Sequence, residues 1–84
     1  MPKFEDLIKK SDIESYCKIR IRSVAPDKLN SITSKRIMTV ITFMEGYYTS
    51  LVEIAQPPIN INELRTQLLS AGFQKMWILL GLAV

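Results

Sequence analysis

The sequence predicts a small α+β domain. Its expected form is an antiparallel sheet of about four strands with one or two helices on one face, preceded by a short N-terminal helix. Three features point there. Residues 16–23, YCKIRIRS, alternate charged and apolar side chains, the period of a half-buried strand. Residues 36–55 are rich in Thr, Val, Ile, Tyr and Phe, with Glu45-Gly46 midway, where a hairpin would turn. Residues 75–84, KMWILLGLAV, are apolar on both parities, as in a strand buried on both faces.

The first element is an amphipathic helix over 2–10. Phe4, Leu7 and Ile8 recur at helical spacing. Pro2 suits a first turn, Glu5 and Asp6 lie where the helix dipole favours acids, and Lys9 and Lys10 where it favours bases. A strand over 15–24 follows and is broken by Pro26 and Asp27. The piece APDKLNSIT has room for one or two helical turns, with Leu29 and Ile32 three apart.

Segment 35–55 admits two readings. Its polar residues recur at 35/36, 39, 42, 45/46, 49/50 and 53, which is helical spacing. A mostly helical protein with one long helix over 35–55 is therefore the alternative fold. Local propensity opposes it, because β-branched and aromatic side chains lose freedom in a helix and fit a pleated surface. A hairpin of strands 36–44 and 47–55 is preferred on that ground, closed by Gln56-Pro57-Pro58.

A helix then begins in ININELRTQLLSAGF. Asn60 with Glu63 three later resembles a capping box, and Asn62 is a competing cap. Leu64, Leu68 and Ala71 share a face, with Leu69 beside them. Gly72 is the expected left-handed stop, with Phe73 packing back on the last turn. The final run, with its own Gly81, reads as the last strand. This β-α-β-β-α-β order is similar to the ferredoxin-like split βαβ arrangement, which leaves one sheet face open.

Residues 1–84 form one domain. A chain of this length buries only about 60–65% of its unfolded surface. A hydrophobic content of 48% is rich for that ratio, so part of the apolar surface is expected to be shared with another chain. Net charge is +3 and uneven. Residues 1–36 hold nine Lys/Arg against five acids, and residues 37–84 hold two against three. One unpaired cysteine, Cys17, excludes an internal disulfide and suits the cytoplasm. The N-terminus lacks the apolar core of a signal peptide, and the longest apolar run, 76–84, is too short to span a bilayer, so no membrane role is expected.

Catalysis is not expected. Histidine is absent, no CxxC pair exists, and the glycines at 46, 72 and 81 form no phosphate loop. Cys17 falls on the apolar parity, where its thiol is inert. The eight acids are dispersed. Asp12 and Glu14, two apart, would share a strand face but better suit the flank of the first strand. Metal-dependent hydrolysis needs a tighter set of oxygens, so an enzyme with Asp12, Glu14 or Glu53 as its acids is only the third reading. No metal, cofactor or small-molecule substrate is implied.

Two interaction surfaces are implied. Lys18, Arg20 and Arg22 at period 2 would stand about 7 Å apart on one sheet face, near the spacing of nucleic-acid phosphates. Lys35 and Arg36 extend that row, and Tyr16 adds a stacking ring. A solvated sheet face explains the same charges and is the more ordinary account. The second surface is the apolar tail, where Met76, Trp77, Ile78, Leu80 and Leu82 need a cover from outside the domain. The expected function is thus a small non-catalytic binding or regulatory protein, an inhibitor, adaptor or assembly factor. It would act by protein–protein association, as a homo-oligomer or on a larger protein. Viral and mobile-element accessory proteins fit this profile. The alternative is a nucleic-acid-binding domain using the basic face.

Overall fold

The computed structural model describes residues 2–32, 34–54 and 60–82. Among the described residues every regular element is helical and no strand forms. The elements are α1 (Phe4–Leu7), α2 (Lys10–Val24), a 3₁₀ segment (Pro26–Ser31), α3 (Ser34–Ile54) and α4 (Ile61–Leu80). The α+β expectation, with its four-stranded sheet and ferredoxin-like order, is overturned. The long-helix alternative over 35–55 fits.

The predicted strand over 15–24 lies inside α2. Alternation placed Cys17, Ile19 and Ile21 on one face. A helix instead aligns residues four apart, and Ile13, Cys17 and Ile21 form the buried stripe. Ile19, on the far side, is 62% exposed.

The predicted hairpin is α3, which passes through Gly46 unbroken. Ile37, Val40, Ile41 and Met44 line its buried side, and Tyr47, Tyr48 and Leu51 continue it. Apolar burial along this stripe outweighs the strand preference of Thr, Val and Ile. The hydroxyls of Thr39 and Thr49 donate to the carbonyls of Lys35 and Glu45 one turn back, which accommodates these side chains within the helix.

Helix α4 starts where the sequence places it. The Asn60 carboxamide accepts from the Glu63 amide at 3.1 Å. Its end is nine residues later than expected. Gly72 lies buried in mid-helix, and Gly81 is the left-handed terminator, with φ +63°. The Gly81 and Leu82 amides donate to the Ile78 and Trp77 carbonyls, closing a Schellman motif. The two glycines thus exchange the roles the sequence assigned them, and the predicted final strand is the second half of α4, with residues 83–84 outside the described set.

The N-terminal helix is shorter than the predicted 2–10. It breaks at Ile8, whose backbone is extended, and α2 starts at Lys10. Asp6 accepts from the Lys3 amide, the reciprocal half of a capping box.

Helices α3 and α4 run antiparallel, with Met44 beside Gly72 and Phe43 beside Lys75. Helix α2 packs against both and runs opposite to α3. Lys10 meets Glu45 at 3.4 Å toward one end, and Ile21 and Ile37 line one cavity toward the other. The core centres on Ile13, Ile21, Met44 and Leu68. Phe4 packs edge-on to Tyr48, whose hydroxyl donates to the Pro2 carbonyl. Arg65 Nε donates to the Leu7 carbonyl at 2.9 Å and Lys28 Nζ to the Leu80 carbonyl at 3.2 Å, tying the N-terminal turn and the 3₁₀ segment to α4. Long helices side by side make an extended body, 43 × 23 × 18 Å. Its radius of gyration is 13.3 Å, against about 12 Å for a compact chain of this length. No helix among the described residues is long and apolar enough to cross a membrane.

Candidate functional site

The helical fold redistributes the predicted basic row. Successive helix positions turn by about 100°, so Lys18 and Arg22 share a side of α2 while Arg20 lies across from them. Lys18 pairs with Glu14 at 2.9 Å, one turn away. Arg22 is exposed in the last turn, where the helix dipole favours a cation. Lys35 and Arg36 begin α3, and Arg36 also lines a small interior cavity. The six predicted residues therefore form no single row, and the strand-face geometry for nucleic acid goes with the sheet.

The predicted apolar interface is redistributed too. Met76 is core. Leu80 packs half-buried on the core, as does Leu79, and Leu82 is half-buried after the terminator. Ile78 is 74% exposed and stands apart on the outer side of α4. Trp77 is half-buried toward α2.

At the α2–α4 seam the structure joins residues from both predicted surfaces. Tyr16 and Arg20 are one turn apart on α2, and Phe73 and Trp77 one turn apart on α4. The Tyr16 and Phe73 rings lie 4.1 Å apart at 35°. The Arg20 guanidinium sits 5.7 Å from the Phe73 ring centre and 6.0 Å from that of Trp77. These are cation–π contacts worth about 0.5–1 kcal/mol each at an exposed site. Among the described residues no carboxylate pairs with Arg20. Burial pushes the Tyr16 hydroxyl above its ordinary pKa, and the Arg20 charge draws it part of the way back.

Tyr16 also walls an open groove between α2, α4 and the N-terminal segment. Leu7, Ile8 and Leu69 give it apolar walls, and Asp12 and Arg65 supply opposite charges. Sequence reasoning missed Phe73 as a site residue and missed the groove. The i, i+4 pairs Tyr16/Arg20 and Phe73/Trp77 were available as a signal, but only under a helical period.

Cys17 lies in the interior. It borders a cavity of about 10 Å³ together with Ile21, Ile37, Val40, Met76 and Leu79. That space holds one water at most, and its walls are apolar. Burial pushes the Cys17 thiol up to about 11, with Glu14 adding to the shift. Alkylation at mildly alkaline pH is therefore expected to run about 100-fold slower than for a free thiol, and to reach the free rate on unfolding. Equal rates in native and denatured protein would contradict this placement. Among the described residues no group of three His, Cys, Asp or Glu could hold a metal ion.

Comparison with protein-family models gives no match, and no curated protein or solved structure matches the chain.

Proposed function

We propose that this chain is a non-catalytic binding protein that associates with another protein through the Tyr16–Arg20–Phe73–Trp77 seam. One observation carries the reading. Trp, Tyr and Arg, the residue types that dominate binding energy at protein interfaces, meet at a partly exposed seam beside an apolar-walled groove. The partner presents an apolar side chain to the groove and a carboxylate to Arg20. The excess of cations over residues 1–36 favours such an acidic partner and speeds encounter with it. The unpaired Cys17 supports work in the cytoplasm.

Trp77 is the chain's one tryptophan, so its fluorescence reports on the seam directly. Selection from a random peptide library is expected to enrich sequences that combine acidic with aromatic or aliphatic residues. Their binding should change Trp77 emission and weaken at least ~10-fold in Arg20→Glu, an exposed substitution that leaves the core alone. Peptides that bind Arg20→Glu as tightly would refute the seam. Oligonucleotide binding that weakens steeply with salt, with no peptide enriched, would transfer the function to nucleic acid.

A further inference from the structure

We infer that the chain forms a two-fold symmetric dimer through the outer side of α3, with the two copies of that helix antiparallel and Lys35 of each against Glu53 of the other. This surface lies on α3, apart from the α2–α4 seam.

Lys35, Thr39, Thr42, Gly46, Thr49 and Glu53 recur at alternating spacings of four and three. These spacings place all six on one face of the helix. All six are exposed, on the side of α3 away from Ile37, Val40, Ile41 and Met44. Among the described residues no element covers them. Unlike Lys10 and Glu45, which pair with each other, Lys35 and Glu53 have no ion-pair partner among the described residues.

The charges decide the occupant. In one antiparallel register Lys35 faces Glu53, Thr39 faces Thr49 and Thr42 faces Gly46, all at once. Two-fold symmetry repeats each contact, so a second copy of this chain satisfies the whole face. A parallel pairing would set Lys35 against Lys35 and Glu53 against Glu53. An unrelated partner would need to reproduce this charge order independently.

Gly46 adds an independent reason. An exposed glycine within a helix lowers helix stability. A Cβ built at Gly46 would meet nothing within 4 Å, so no neighbour among the described residues calls for glycine there. The close approach of a second helix does. Around it, Thr39 and Thr49 donate their hydroxyls to their own backbone, so neither hydroxyl needs a partner from outside the helix. Met38 and Phe43, both substantially exposed, flank the stripe on either side, and with Lys35 and Lys75 they border an open groove on this face.

The test is charge exchange read by analytical ultracentrifugation. The unaltered chain is expected to sediment as a dimer at micromolar concentration. Lys35→Glu alone and Glu53→Lys alone should each weaken association at least ~100-fold, since each sets like charges together twice in the dimer. Mixing the two variants should restore a dimer containing one of each, because both contacts become attractive. Gly46→Gln should raise the thermal stability of the monomer yet weaken the dimer, which a merely structural glycine would not do. Arg20→Glu should leave the dimer intact. An unaltered chain that stays monomeric, or a dimer indifferent to both charge reversals, would overturn the inference.

Discussion

Ile21→Ala is expected to lower unfolding free energy by about 2–4 kcal/mol, while Ile19→Ala two positions earlier changes it by less than about 0.5. Ile21 is fully buried, and Ile19 is 62% exposed. The first change removes three methyl or methylene groups from a close-packed site between α2 and its neighbours and leaves a cavity beside the one that Cys17 borders. The second removes atoms already in water. A chain of 84 residues has a total stability of roughly 4–13 kcal/mol. The Ile21 change is therefore a large fraction of the whole, and the melting temperature should drop by about 10–20 °C. Thermal unfolding followed by circular dichroism measures both. On a strand the two isoleucines would share a face and cost alike, so equal losses would contradict the helical placement of α2.

That pair also shows what the sequence could and could not say. Within residues 16–23, the apolar positions 17, 19 and 21 satisfy a period of two. Only Ile13, outside that window, completes the four-residue stripe Ile13–Cys17–Ile21 that the core uses. A short window of alternating residues cannot separate the two periods, and the longer one decides. In α3 the longer pattern was visible, because polar residues recur at helical spacing through Glu53. Local propensity points the other way. Packing of Ile37, Val40, Ile41 and Met44 overrides it, since tertiary burial supplies more free energy than intrinsic preference. The Asn60 cap was legible because its signal is local, an acceptor followed three residues later by Glu63. The seam of Tyr16, Arg20, Phe73 and Trp77 was half legible. By sequence Tyr16 and Arg20 belong to one predicted surface and Trp77 to the other. Joining them requires knowing that α2 and α4 are neighbours, which no local pattern encodes.

The roles of the glycines were illegible for the same reason, and they yield the second large effect. Gly72→Val is expected to lower stability by about 2–4 kcal/mol. A Cβ at Gly72 would stand 2.6 Å from Met44 Sδ, closer than real Cβ contacts come, and a tight 3.2 Å from its Cγ. Met44 is 1% exposed and has little room to move aside. The glycine therefore sets how closely α3 and α4 approach. Gly72→Ala should cost less, because the helix-propensity gain of about 1 kcal/mol offsets part of the collision. The Met44→Ala background distinguishes this account from a general intolerance of the site. Deleting the Met44 side chain removes the collision partner and opens space that the valine methyls can occupy. Gly72→Val should then cost at least ~1 kcal/mol less than in the unaltered chain, a coupling measurable as a double-mutant cycle in urea unfolding. Strict additivity would mean that Gly72 is required for another reason and that Met44 does not set the helix spacing.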